Sequence, residues 1–86
     1  YFMIFNLASG ETSPSQNSSV FGAAFKPWYL MVSGGGTLAV EILSEDGTWR
    51  SFPETTFKAP AASFIELPEG DFRFKAEGGP VTVEAR

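Results

Sequence analysis

The chain has 86 residues, a formal net charge of −4, nine Phe, and neither Cys nor His. Disulfides, thiolate metal sites and imidazole ligands are therefore excluded, along with the side chain that most often serves as a general base near neutral pH. An acidic chain does not track a phosphate backbone, which argues against nucleic acid as a partner. A hydrophobic content of 43% points to one packed domain. A domain this small buries only about 60–65% of its unfolded surface, so association with neighbours is the remaining source of support.

Apolar residues alternate along most of the chain, and Gly, Pro, Ser and Asp-Gly cut it into short pieces. That pattern predicts an all-β fold, a small antiparallel β-sandwich or jelly-roll-like domain with an extended N-terminal strand and arm. Residues 1–19 form the strand and Ser-rich arm in this reading, and residues 20–86 the sandwich domain.

The opening "YFMIFNLASG" has the greasiness of a signal-peptide core. It has no basic flank and is too short to span a membrane, so it is expected as a strand, Tyr1–Leu7, with no membrane partner. The missing Met at Tyr1 suggests numbering that begins inside a gene product, or removal of a leading segment. Next, "SGETSPSQNSS" (Ser9 to Ser19) is polar and small and cannot bury itself. An apolar strand on such a tether suits strand addition to a neighbouring subunit. Pairing of Tyr1–Leu7 within its own chain is the alternative, and the residues leave both open.

Further strands are expected at Val20–Lys26, Trp28–Ser33, Thr37–Leu43, Thr48–Phe52, Thr55–Lys58, Ser63–Leu67, Asp71–Ala76 and Val81–Ala85. Gly34-Gly35-Gly36 is expected to join the second and third of these as a hairpin. It is no phosphate loop, because neither the Lys-Ser/Thr nor the helix follows. Asp46-Gly47 suits a type I turn with a bulge, which sets Leu43 opposite Trp49. A longer loop would set Glu41 opposite Arg50 instead. In either register Trp49 belongs to the core or its rim rather than to a ligand platform. The last two strands are expected to fold on each other about "EGGP". Phe74 would face Val83 and Arg73 would face Glu84, each pair contributing roughly 0.2–1 kcal/mol.

No catalytic set can be assembled. There is no Ser at a telling distance from Lys26, Lys58 or Lys75, and Glu41, Glu66 and Glu84 fall on outward strand faces. "SEDGT" and "PEGD" offer oxygen ligands without calcium-loop spacing. No catalytic residue, metal or cofactor is therefore expected.

From about Tyr29 onward, the order of a "VSG" strand end, a Gly-rich link, "LAVEIL", an "S-x-DG-x-W" corner, "TF", "IELPEGDFRF" and a Val-rich last strand resembles small β-rich structural proteins of tailed bacteriophages. The resemblance covers the last two thirds of the chain and rests on turns and core positions. It implies a virion location and a non-enzymatic structural role, as a capsid-associated decoration or cement subunit or a neck or tail component. The implied partners are the major capsid or other virion proteins and further copies of the chain. Interface residues are expected at Tyr1, Phe2, Ile4 and Phe5 on the first strand, and at Trp28 and Tyr29. Deleting residues 1–19 would then leave a folded sandwich that no longer assembles. Two alternatives are a carbohydrate- or receptor-binding module with Trp28 and Tyr29 stacking on a glycan, and a fragment of a larger adhesive protein.

Overall fold

The computed structural model describes residues 2–21 and 27–86. Nine strands are described: β1 Met3–Leu7, β2 Gln16–Asn17, β3 Trp28–Gly34, β4 Thr37–Leu43, β5 Trp49–Arg50, β6 Thr56–Lys58, β7 Ala61–Ile65, β8 Asp71–Glu77 and β9 Val81–Ala85. They form two antiparallel sheets. One runs β1-β9-β3-β7. The other runs β2-β8-β4-β5, with β6 also on β4. The sheets face each other across a core of Leu30, Leu38, Val40, Phe72, Phe74 and Val83, each no more than 1% exposed. Every one of these residues occupies the inward phase of a two-residue alternation, which is why a one-residue slip of any strand would turn its apolar set to water.

The expected C-terminal hairpin does not form. β8 pairs with β4 and β2, whereas β9 pairs with β1 and β3, so the two strands lie in opposite sheets. Arg73 faces Glu41 rather than Glu84. The alternation in "DFRFKA" and "VTVEA" marks which face is buried and does not mark the neighbour, so an arch across the core satisfies it as well as a hairpin. Gly78 and Gly79, at φ 70° and 155°, make that crossing in a region that side-chain-bearing residues seldom enter.

The triple-glycine link is likewise a crossing between sheets and not a hairpin, since β3 and β4 are in different sheets. The two crossings touch. Gly35 and Gly36 donate to the Pro80 carbonyl at 3.1 and 3.2 Å. A Cβ on Gly36 would lie 2.7 Å from the Gly79 carbonyl carbon. Glycine here is a requirement of close backbone approach.

Of the open alternatives, the Asp46-Gly47 turn gives the bulged register, with Leu43 opposite Trp49 and Gly47 at φ 85°. The first strand pairs within its own chain, as β1, Met3–Leu7, against β9. Residues 9–19 run along β8. Ser13 donates its N–H to the Phe74 carbonyl at 2.8 Å and accepts the Phe74 N–H on Oγ at 2.9 Å. Gly10, Glu11 and Ser18 add backbone bonds to Ala76 and Gly70. A polar segment can thus lie against a sheet edge through main-chain bonds, with no apolar side chain needed.

The strand expected at Val20–Lys26 begins instead with a 3-10 turn, Ser18–Phe21, and its residues 22–26 lie outside the described residues. A 3-10 turn at Pro53–Thr55 separates β5 from β6, where longer strands were expected on either side. The strand placed at Ser63–Leu67 runs Ala61–Ile65.

Candidate functional site

The outer faces of the two sheets differ in kind. On the five-stranded sheet, Arg73 Nε lies 2.7 Å from Glu41 Oε1, and Lys75 and Glu77 lie 3.9 Å apart. The Arg73 guanidinium also sits 4.3 Å from the centre of the Trp49 ring. Trp49 is therefore half-buried on this outer face, with one side of its ring already held by a cation.

The outer face of the four-stranded sheet combines exposed apolar side chains with a polar margin that includes Asn6 and Thr82, hydrogen-bonded at 2.7 Å. Strand alternation turns Met3, Phe5 and Leu7 inward and Ile4 outward. The registers align Ile4, Glu84, Met31 and Ala62 in one row across the sheet. The adjoining row pairs Tyr29 with Phe64, their rings 5.0 Å apart and edge to face. Phe2 and Phe64 are 63% and 71% exposed. Among the described residues, Glu84 and Arg86 on this face pair at 3.4 Å, and Glu66, just past the end of β7, is exposed in the same phase as Phe64. A strand surface with exposed rings and a self-neutralised ion pair has the character of a contact surface.

Three of the six expected interface residues belong to this surface. Phe2 and Ile4 are exposed, and Tyr29 is half-buried and points outward against Phe64. Trp28 is corrected. It is 5% exposed, with its ring 5.5 Å from Phe72 and 6.3 Å from Phe74, and it packs in the core instead of on this face. The phase that buries Leu30 and Val32 also buries Trp28. Phe5 is corrected too, since it is half-buried on the core side, 5.9 Å from Phe74. Tyr1 lies outside the described residues. Phe64 and Met31 were missed. Their signal was present, because a strand that buries Ile65 must turn Phe64 outward, and one that buries Leu30 and Val32 must turn Met31 outward.

Elsewhere the chemistry is sparse. A cleft of about 380 Å³ lies beside the glycine crossing, lined by Asn6, Leu7, Gly34, Pro80 and Thr82 among others, with no titratable side chain in its wall. Asp46 accepts from the Thr48 N–H at 3.0 Å and pairs with Arg50 at 3.0 Å. With Ser44 the first cause and Thr48 and Arg50 adding to it, these contacts hold its carboxyl down at about 2. That explains a rigid turn. Among the described residues, no three His, Cys, Asp or Glu side chains group so as to hold a metal ion. No family model matches the chain, and no curated protein matches it.

Proposed function

We propose that this chain is a non-enzymatic structural protein of a phage virion, a decoration or cement subunit that docks on the head through the outer face of its four-stranded sheet. The observation that carries the reading is the exposure of Phe2, Ile4 and Phe64 beside Tyr29 on one face. The phage-like order of turns and core positions from Tyr29 onward supports it, and the thin core of a small domain is consistent with it. A subunit that binds only the assembled shell stabilises that shell by mass action.

The test is co-sedimentation of the purified protein with assembled heads and, separately, with unassembled shell protein. Ile4→Lys and Met31→Lys place charge in the central row of the face without entering the core. Each is expected to lower binding to heads at least tenfold while circular dichroism stays unchanged. Heads that bind both variants as tightly as wild type would refute this docking face, and absence of binding by wild type would refute the head location.

A further inference from the structure

Among the described residues β7 pairs with β3 alone, and the backbone groups along its other edge can be assigned. Tyr29 and Arg86 exchange both main-chain hydrogen bonds. Such pairs alternate along an antiparallel ladder, so Tyr29 turns its N–H and C=O toward β9 and Leu30 turns its own toward Ser63 on β7. Ser63 therefore faces inward along the sheet, and Ala62 and Phe64 turn their backbone groups to the open edge. The strand reads AASFI, with no charge and no proline. Natural edges are commonly blunted by such residues or kept short. The five-stranded sheet follows that rule. β2 has two residues, and β5 and β6 are parted by the turn at Pro53.

We propose that β7 is a self-association edge, pairing antiparallel with β7 of a second copy about a two-fold axis at Ser63. The strand is self-complementary about that residue. With the two Ser63 residues opposed, Ala62 meets the second copy's Phe64 and Ala61 meets its Ile65. Small thus opposes large on both faces, and the edge-facing groups of Ala62 and Phe64 bond to each other, the Phe64 carbonyl using its second lone pair beside the bond it accepts from the Ser63 hydroxyl at 3.0 Å. No charge on β7 is brought against its like, which matters for a chain of net charge −4. The interface is isologous and closes at two copies. It joins two four-stranded sheets into one of eight and sets two aromatic faces side by side. The inference deepens the proposed assembly role, on which it rests for the use of a doubled face.

Light scattering of the purified chain tests it without any shell. The expected result is a mass that doubles with concentration, and a Phe64→Lys variant that stays monomeric and unfolds like wild type at concentrations where wild type is itself monomeric. The chain has no cysteine, so one introduced thiol reports one contact. Opposed Ser63 positions form a non-hydrogen-bonded pair, whose Cβ atoms come within disulfide reach. Ser63→Cys is expected to oxidise to a covalent dimer, and Ala62→Cys and Ile4→Cys are not. A monomer at every concentration up to about 1 mM would overturn the proposal. A cross-link through Ile4→Cys in place of Ser63→Cys, which would move the contact to β1, or a mass of three or more copies, would do so equally. Any of these results leaves binding to heads a separate question.

Discussion

Thr55 donates its hydroxyl proton toward the carbonyl of Val40 at 3.0 Å, at the point where the edge of β4 passes from β6 to β5. The same oxygen accepts the Phe52 N–H at 3.1 Å. One side chain thus fills a gap in the ladder that the turn at Pro53 creates. Thr55→Val keeps the shape and removes the hydroxyl from a site 8% exposed. It is expected to destabilise by about 1–3 kcal/mol, and Thr55→Ser by much less. Urea unfolding of the two variants compares them, and equal midpoints would show that the hydroxyl is dispensable.

The crossing of the two glycine links gives a second comparison within one tripeptide. A methyl on Gly36 meets backbone at Gly79 and Glu77, whereas one on Gly35 meets nothing within 4 Å. Gly36→Ala is expected to lose about 1–3 kcal/mol, as for overpacking elsewhere. Gly35→Ala should be neutral or slightly stabilising. Thermal melts of both proteins suffice, and similar losses in the two would contradict the close approach.

Removal of residues 1–19 should unfold the monomer, in contrast to the expectation drawn from the sequence. Met3 and Leu7 are buried in the common core, and the arm supplies hydrogen bonds to the β8 edge. A dispersed amide spectrum from the truncated chain would show that the strand is an accessory after all.

The Asp46 turn carries a pH dependence of definite sign. Its folded carboxyl lies near 2 against an ordinary 3.8. A depressed carboxylate contributes stability above the ordinary value and loses it as pH falls through the folded one. The difference between wild type and Asp46→Asn should therefore be full at pH 7 and shrink from about pH 4 toward pH 2. A side-chain carboxyl titration by NMR gives the folded value directly, and a midpoint at the ordinary value would remove the effect.

Alternation between clear turn signals located β4 and β9 to the residue, strictly in β9, whereas in β4 the small Ala39 is buried along with Leu38 and Val40. The Asp-Gly pair offered the Leu43–Trp49 register and the Glu41 and Arg50 charges offered another, and the structure has the one that the turn chemistry favoured. Strand partners were not legible. Phe74 and Val83 both belong inside, and that requirement is met whether their strands are neighbours in one sheet or face each other from two. The arm was misread for a related reason, since apolar content says nothing about where a Ser13 or Gly10 backbone can bond. Within the candidate site, the phase that turns Ile4 and Tyr29 outward was present in the sequence, but whole stretches were named without it, so Phe5 and Trp28 came with their outward neighbours.

The last strand of the chain, β9, is an interior member of its sheet, holding β1 on one side and β3 on the other. During synthesis, the segments that become β1 and β3 emerge long before the residues that join them. The four-stranded sheet can therefore close only once β9 itself has been made, when it is inserted between two strands far from it in sequence. Loop closure over such spans precedes any reward from the ladder, which places folding toward the slow, millisecond-to-second range of small β-proteins. Until that insertion, the apolar β1 and β3 segments lack the neighbour that holds them, and this interval is when the chain is most exposed to aggregation.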